Sequence, residues 1–297
     1  MFFIIFIYNI FFDFKVKYNI NFKMIKQIKK KISELKKKKI NVFFSDTVEL
    51  DFDEFSKKIL KLNYVLDCVD KLFNGYVFIL RNTVKEDFIN SSIDKLQKFY
   101  LKKTPISTKI LEGCKNGYYI SNNTSHGYRA VDRSFYFFSW NNDKLFIYKK
   151  LLNIYKKIKI LNGLEAEEVT NNTPINEVVE RLHVIHYPIG GGEISKHTDP
   201  INISIINHGI FGSEFGKDYD RGGFYVINKK NKKILLDKKV NKGDSVIFFP
   251  GLIHGVDPVF LKDQKLDMKS KIGRWYFNFQ LIETHEVKNR QTTSAVD

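Results

Sequence analysis

Periodic apolar positions in the first part of the chain predict three amphipathic helices and two strands. Apolar residues recur at helical spacing from about residue 50 to 72, over 82–100 and over 142–161. The continuous apolar runs GYVFILR, at 75–81, and RSFYFFSW, at 133–140, predict buried strands. This part is therefore expected to mix helix and strand.

Two of these helices carry start signals. Thr83 and Glu86 have the spacing of a capping box at the start of the second helix. Asn142 or Asp143 is the expected cap of the third. Both signals predict side-chain hydrogen bonds to backbone N–H groups that lack a partner within the helix.

Beyond about residue 178 the pattern changes to short strands separated by Gly, Pro, Asn and Asp, which is typical of an all-β barrel or sandwich. No internal repeat and no Pro/Ser-rich linker is visible in the sequence. We therefore expect one α+β domain with a mainly β core and N-terminal helices packed against it. The predicted strands are 181–189, 201–209, 222–228, 232–240, 244–250 and 273–283.

The charge of the chain raises the question of a nucleic-acid partner. There are 49 basic and 33 acidic residues, which gives a net charge of +16. All but seven of the basic residues are lysines, with clusters at 24–40 and 228–242. We interpret these clusters as a solvated arm and a solvated hairpin. Because Arg is rare, an Arg at a candidate site carries more weight.

Cysteine usage and the N-terminus bear on location. Cys68 and Cys114 make neither a disulfide framework nor a thiolate metal site, so we expect a reduced, cytoplasmic protein. The apolar N-terminal stretch is too short to span a bilayer and lacks the features of a signal peptide. Met24 opens a more ordinary beginning. We therefore expect residues 1–23 to be a dispensable extension, with a membrane anchor as the alternative.

Candidate metal ligands follow a glycine turn. In HYPIGGGEISKHTDP, at 186–200, His197 and Asp199 are one residue apart, so in an extended segment both side chains point to the same side. His254 follows a predicted strand that Pro250 ends. Two imidazoles and one carboxylate leave open positions on a metal and are typical of non-haem Fe(II) oxygenases, although zinc hydrolases use similar ligands.

The last predicted strand favours the oxygenase. In GRWYFNFQLI, Arg274, Tyr276, Asn278 and Gln280 share one face, and apolar residues share the other. A polar inner face is costly unless it holds a ligand. Arg274 offers a planar, bidentate donor for a carboxylate and fits the far carboxylate of 2-oxoglutarate, for which a zinc hydrolase has no general need.

Taken in order, these motifs resemble the catalytic core of the Fe(II)/2-oxoglutarate-dependent oxygenases, and most of all their prolyl-hydroxylase-like branch. The resemblance covers residues 181–282. It rests on Tyr187, the glycine turn, HTD, GGF at 222–224, VNKGDSVIFFP with the HGV that follows, and Arg274. It implies a double-stranded β-helix, or jelly roll. The implied catalytic metal ligands are His197, Asp199 and His254, and the implied 2-oxoglutarate contacts are Arg274, Tyr187 and Tyr276.

The chain departs from the family pattern at the basic anchor, which in this branch usually lies nearer the second His and is often Lys. Lys262 and Lys265 are rival anchors, but both lie in a polar stretch without a strand pattern, so we prefer Arg274. Related halogenases have a small residue in place of the carboxylate ligand. Because Asp199 is present, the resemblance favours hydroxylation or another oxidation.

Substrate recognition is expected outside the metal core, on the segment at 124–140. The candidate contacts are Arg129, Arg133, Tyr128 and Trp140. If the two arginines face the pocket, they indicate a substrate with a carboxylate or phosphate; the alternative is that they pair with acids inside the fold.

Other candidates follow from the strand face that contains Tyr187. Arg181 and His183 alternate with it, so either is a candidate to point into the pocket. The histidines that we interpret as structural are His186, His208 and His285.

We therefore predict an Fe(II)- and 2-oxoglutarate-dependent dioxygenase that uses O₂ and releases succinate and CO₂. The expected substrate is a small anionic or zwitterionic metabolite or a protein side chain; nucleic acid is disfavoured, and no stable membrane insertion is expected. A zinc-dependent hydrolase and a non-catalytic jelly-roll binding module remain alternatives. The predicted parts are the extension, 1–23, a basic arm, 24–45, and one oxygenase domain, 46–290, in which 46–177 is helical and substrate-facing and 178–285 is the metal core.

Overall fold

The computed structural model describes residues 22–106, 109–125 and 128–296. Within these ranges the chain is mainly β, with one 13-stranded sheet and five α-helices, none long and apolar enough to cross a membrane. The predicted extension lies outside the described residues up to position 21.

The helices are α1 Phe22–Lys36, α2 Phe52–Lys58, α3 Leu62–Phe73, α4 Glu86–Tyr100 and α5 Tyr148–Ile158. The strands are β1 Thr47–Asp51, β2 Val77–Arg81, β3 Gly117–Ser125, β4 Tyr128–Phe138, β5 Val178–Pro188, β6 Gly192–Thr198, β7 Asn207–Phe211, β8 Arg221–Ile227, β9 Lys233–Leu235, β10 Ser245–Phe248, β11 His254–Phe260, β12 Gly273–Glu283 and β13 Ser294–Ala295.

Two runs of strands make up the sheet, and β4 joins them. One run has the order β1-β2-β10-β7-β12-β5, and the other has the order β6-β11-β8-β9. β4 pairs with β5 through its C-terminal half and with β6 through Ala130 and Val131. β5 and β12 pair antiparallel over their full lengths. Since alternate side chains of paired strands share one face, the polar residues of β4, β5 and β12 lie together inside the fold.

The Lys-rich segment near the N-terminus is a docked helix from residue 22 to 36, so its interpretation as a solvated arm is wrong there. Met24, Ile25, Ile28 and Ile32 of α1 are buried against α3 and a 3-10 helix, Lys159–Asn162. Most of the lysines between them stay exposed. The segment is thus amphipathic: its isoleucines recur at helical spacing beneath the charged face.

The single helix predicted from about residue 50 to 72 is instead β1, α2 and α3. β1 pairs with β2, and Asp51 at its end accepts a hydrogen bond from the amide of Asp53 at 2.8 Å, which caps α2. The helix breaks again before α3, where Lys61 is extended with φ −102° and ψ 120°. No Gly or Pro marks either break, so the helical periodicity runs through both.

The capping box predicted at Thr83 is not formed. α4 begins at Glu86 without a side-chain cap, and Thr83 Oγ1 instead donates to Leu80 O at 3.0 Å and lies 2.8 Å from Ser245 Oγ. A buried hydroxyl between two strands therefore replaces the cap. Strand β3 was not predicted, because the second half of its sequence, GYYISNNTS, is polar.

Asp143 does bind the start of the next helix. Its carboxylate accepts hydrogen bonds from the amides of Ile147 and Lys149 at 3.1 and 3.0 Å. The strand predicted at 232–240 is short, since only β9 is extended and a 3-10 helix, Leu236–Lys239, follows it. This 3-10 helix contains Asp237, which accepts a hydrogen bond from Arg274.

Candidate metal centre

Pairing of β6 with β11 brings the three predicted metal ligands together. His197 lies opposite His254 in this pair, and Asp199 follows the end of β6. One potential ligand atom of each residue lies within 4.8 Å of the others, and His254 Nε2 is 3.5 Å from Asp199 Oδ2. Among the described residues this is the one such group of three or more His, Cys, Asp or Glu side chains. Its spacing suits one ion held by two nitrogens and an oxygen.

Backbone carbonyls orient both imidazoles. His197 Nδ1 is 2.7 Å from Ser195 O, and His254 Nδ1 is 2.8 Å from Leu252 O. A carbonyl oxygen only accepts, so each Nδ1 carries the proton and each Nε2 is left as a ligand. Burial, together with the neighbouring His254, lowers the pKa of His197 to about 4, so its imidazole is neutral near pH 7.

Two hydrogen bonds hold the carboxylate of Asp199. Oδ2 accepts from Asn207 Nδ2 at 2.9 Å, and Oδ1 accepts from Thr293 Oγ1 at 2.7 Å. Burial alone would raise the pKa of Asp199, but interactions with His254, His197 and Thr293 outweigh it and lower the pKa below its usual value. The carboxylate is therefore ionised and fixed before a metal binds.

These three residues line a cavity of about 800 Å³. The polar faces of three strands supply much of its wall, including the β12 face that alternation predicted. They are Asp132, Ser134 and Tyr136 from β4, Arg181, His183 and Tyr187 from β5, and Arg274, Tyr276, Asn278 and Gln280 from β12. Burial raises the pKa of Asp132 to about 6, against the opposing hydrogen bond from Ser134.

Arg274 is held by a buried carboxylate. Its Nε and Nη2 donate to the two oxygens of Asp237 at 2.7 and 3.1 Å. Asp237 also accepts from Tyr219 OH at 2.5 Å and from the amide of Phe224 at 2.9 Å. Burial alone would lower the pKa of Arg274, but Asp237 and Tyr219 raise it above its ordinary value. The guanidinium is thus charged and fixed along one edge, and Nη1 is the nitrogen left for a ligand.

The tyrosines beside Arg274 offer further polar groups. The guanidinium carbon lies 5.1 Å from the ring centre of Tyr276 and 5.6 Å from that of Tyr187. The hydroxyl of Tyr276 is buried and has no hydrogen-bond partner in the described part of the chain. A Cβ at Gly209 would lie 1.9 Å from the Tyr276 ring, so glycine makes room for it. An unpaired hydroxyl beside a fixed guanidinium fits a carboxylate ligand.

The two arginines expected to face the substrate do not line this cavity. Arg133 is buried on the opposite side of β4, where Nε is 3.1 Å from His186 Nδ1 and Nη2 donates to Ser270 O at 2.7 Å. Arg129 is exposed and pairs with Glu193 at 2.5 Å. Neither arginine is therefore positioned to contact a substrate in this cavity.

The aromatic candidates divide between the cavity and the core. Tyr128 lines the cavity, with its ring centre 6.0 Å from that of His197. Trp140 does not; it stacks on Phe138 and donates to Cys114 O at 2.9 Å. The rival anchors, Lys262 and Lys265, are exposed and lie outside the cavity lining.

Several residues of the site were not foreseen. Asp237 directly follows the apolar run ILL, but this position in the sequence does not by itself predict its burial beside Arg274. The C-terminal strap, which we define as residues 286–296, carries no signal and reads as a polar tail. It nevertheless crosses the cavity, places Thr293 on Asp199, and ends in β13, where Ser294 and Ala295 pair with Thr198 and His197.

Comparison with solved structures places the chain near several oxygenases. A prolyl-4-hydroxylase of Pseudomonas putida matches at 13% identity and a TM-score of 0.44, over 73% of this chain and 97% of that one. A full-length protein of Neurospora crassa, in complex with α-ketoglutarate and thymine, matches at 14% and 0.48, over 83% and 88%. A prolyl hydroxylase of Trichoplax adhaerens, in complex with a peptide fragment of hypoxia-inducible factor, matches at 11% and 0.44, over 78% and 90%. No family model and no curated protein sequence matches the chain.

The site itself defines a class of metal centre. Two imidazoles and one ionised carboxylate converge at the wall of a cavity, and a fixed guanidinium lies on the same wall. Such a ligand set leaves positions on the metal for exogenous ligands.

Proposed function

We propose that the chain is an Fe(II)- and 2-oxoglutarate-dependent dioxygenase with a double-stranded β-helix core. One observation carries the proposal. The His197, Asp199 and His254 group and the buried, positively charged Arg274 line the same cavity. Two runs of strands, β5-β12-β7-β10 and β6-β11-β8-β9, support the jelly-roll core. In such a core the two runs face each other and enclose the proposed metal ligands.

His197, Asp199 and His254 would hold the iron. Their Nε2 atoms and one carboxylate oxygen converge, and backbone carbonyls, Asn207 and Thr293 keep them in place. Outer contacts of this type fix the tautomer and the orientation of metal ligands. A zinc hydrolase uses similar ligands, but it gives no reason for a buried guanidinium beside an unpaired tyrosine hydroxyl.

Arg274 and Tyr276 would hold the distal carboxylate of 2-oxoglutarate. Asp237 leaves Nη1 of the guanidinium for this ligand, and the Tyr276 hydroxyl supplies a second donor that is otherwise unpaired. Tyr187 closes the other side of the guanidinium and is the third proposed contact. The buried setting strengthens these bonds because water does not compete for them.

When bound, Fe(II) and 2-oxoglutarate supply oxidation by O₂, with release of succinate and CO₂. The chain would keep positions on the metal accessible and would orient the substrate in the remaining cavity. The proposed substrate is a small anionic or zwitterionic metabolite, with a protein side chain as the alternative.

Anaerobic titration tests this proposal. Adding Fe(II) and then 2-oxoglutarate to the purified chain should produce a weak visible charge-transfer band. His254→Ala should abolish both metal binding and substrate-independent succinate formation, whereas Arg274→Gln should keep metal binding and raise the 2-oxoglutarate Kd by tenfold or more. Tight zinc binding with no band in the wild type would favour a hydrolase. Binding of neither metal would favour a non-catalytic module.

A further inference from the structure

Arg181 lacks a carboxylate partner inside the cavity. It lies six residues before Tyr187, the residue paired with Arg274, and so about 20 Å from that end along β5. Its Nη2 donates to Gln280 Oε1 at 2.6 Å, while Nε is buried with no partner among the described residues. The central carbon of its guanidinium lies over the ring of Tyr136, 4.8 Å from the ring centre. Gln280 and Tyr136 therefore hold the group while part of its donor set is unused.

A second guanidinium reaches this end from the C-terminal strap. Arg290 lines the same cavity, where Nε donates to Glu283 O at 2.8 Å and Nη1 is 3.3 Å from His285 Nε2. Among the described residues, neither Arg181 nor Arg290 forms an ion pair. The arginines that do are Arg81, Arg129, Arg221 and Arg274.

The acid nearest to Arg290 is Glu283, whose charge favours the charged form of Arg290 but only partly offsets the effect of burial. Glu283 lines the cavity, but its Oε1 accepts from Asn202 Nδ2 at 2.5 Å and its Oε2 accepts from the amide of Gln291 at 2.8 Å. Lys109 and His285 add further basic groups to this wall. Burial, with the charges of Arg290, Lys109 and Arg181, lowers the pKa of His285, as expected where positive charge is in excess.

A structural role alone leaves this arrangement unexplained. Arg133 is an arginine of that kind, because Nε and Nη2 of its buried side chain both have hydrogen-bond partners. Arg181 instead keeps a buried N–H unpaired, which costs free energy. The charge of Arg290 also disfavours the charge of Arg181, and an anion bound between the two guanidinium groups would offset this repulsion.

We infer that Arg181 and Arg290 bind a carboxylate or phosphate group of the substrate, at the end of the cavity away from Arg274. This inference rests on the proposed function, and it selects an anionic substrate from the classes left open there. Because the triad lines the same cavity, an anion held here directs the rest of the substrate toward the metal. The strap thereby contributes Arg290 to substrate specificity, in addition to Thr293, which holds Asp199.

Anion binding can be measured without turnover. Inorganic phosphate and acetate would each be titrated into the full-length, metal-free protein by calorimetry, with 2-oxoglutarate present to occupy Arg274 and with chloride holding ionic strength constant. We expect saturable binding of at least one anion. Arg181→Gln and Arg290→Gln should each raise its Kd tenfold or more, and Arg181→Lys should lose part of the affinity, because it keeps the charge without the planar fork. Arg129→Gln, outside the cavity, is the matched control and should bind as the wild type does.

Absence of saturable anion binding in the wild type, or wild-type Kd values in both Arg181→Gln and Arg290→Gln, would overturn the inference. Turnover separates it from the proposed function. Carboxylic acids that stimulate succinate release should lose this effect as their amides, mainly through KM. Equal stimulation by acid and amide would reject the anion subsite and leave the dioxygenase standing. Saturable, arginine-dependent anion binding by a protein that forms no succinate would reject the dioxygenase and leave the anion subsite standing.

Discussion

At the scale of single residues, hydrogen bonds from outside the triad set the orientation of each proposed metal ligand. The carbonyls of Ser195 and Leu252 fix the tautomers of the two imidazoles, and Thr293 and Asn207 fix the carboxylate. Outer contacts of this kind commonly contribute tenfold to a hundredfold to metal affinity.

Thr293 therefore gives a direct prediction. Thr293→Val removes the hydroxyl that donates to Asp199 while keeping the size of the side chain, so we expect metal affinity to fall about tenfold to a hundredfold. Thr292→Val is the control, because Thr292 lines the cavity but is exposed. The measurement is a competitive Fe(II) titration under anaerobic conditions. Equal affinities for the two variants would show that the strap does not support the metal.

Gly223 gives a prediction for Arg274, the proposed 2-oxoglutarate anchor. It has φ +108°, and a Cβ there would lie 2.2 Å from Asp237 Oδ2. Gly223→Ala should displace Asp237, loosen Arg274 and raise the 2-oxoglutarate Kd about tenfold, because the guanidinium loses its fixed direction. Gly216→Ala controls for backbone strain alone, since Gly216 has φ +88° and open space around its Cβ position. An unchanged 2-oxoglutarate Kd in Gly223→Ala would show that Asp237 does not contribute to 2-oxoglutarate binding.

The sequence predicts some residues of the site better than others. His197, Asp199 and Arg274 could be proposed because strand alternation and a glycine turn set the direction of each side chain, and His254 could be proposed because it follows a strand that Pro250 ends. Asp237 comes from a 3-10 helix in a segment that was interpreted as a strand, so alternation could not place it. Thr293, Arg290 and the rest of the strap could not be placed at all, because a two-residue strand in a polar tail has no periodicity to detect.

At the scale of elements, the same limit explains the N-terminal half. The stretch from about residue 50 to 72 keeps one helical periodicity across β1, α2 and α3, and only long-range packing against β2 turns its start into a strand. In α1 the reverse holds: abundant lysine masks a buried apolar stripe. Composition was the weaker guide there, and periodicity was the better one.

The packing of helix α1 against α3 can be tested by substitution. Ile28 is fully buried against α3, so Ile28→Ala should lower the free energy of unfolding by about 2–5 kcal/mol, through lost burial and the cavity left behind. Lys30→Ala, on the exposed face, should change it by less than about 0.5 kcal/mol. Urea unfolding followed by circular dichroism measures both. A change at Ile28 as small as that at Lys30 would mean that α1 is not docked in solution.

For the whole molecule, the helical layer and the sheet are joined by a buried ion pair. Lys159 Nζ donates to Glu180 Oε1 of β5 at 2.6 Å, and both side chains are fully buried. Lys159 also donates to Glu168 O at 2.6 Å and to Thr170 Oγ1 at 2.9 Å. Burial lowers the pKa of Lys159 and raises that of Glu180, and in both residues the partner's charge only partly opposes it. Desolvation therefore disfavours both charges, and each depends on the other.

Removing one partner of the Lys159–Glu180 ion pair should therefore destabilise the fold. Lys159→Met leaves Glu180 as a buried charge without a partner, so the free energy of unfolding near pH 7 should fall by about 3–5 kcal/mol. Lys159→Met combined with Glu180→Leu removes both charges and should recover most of that loss, although Glu168 O and Thr170 then lose a donor. Guanidinium unfolding of the wild type, the single variant and the double variant completes the comparison. If the double variant is no more stable than Lys159→Met, the pair stabilises the fold by more than charge compensation, and packing of the lysine stem between the 3-10 helix and β5 becomes the larger contribution.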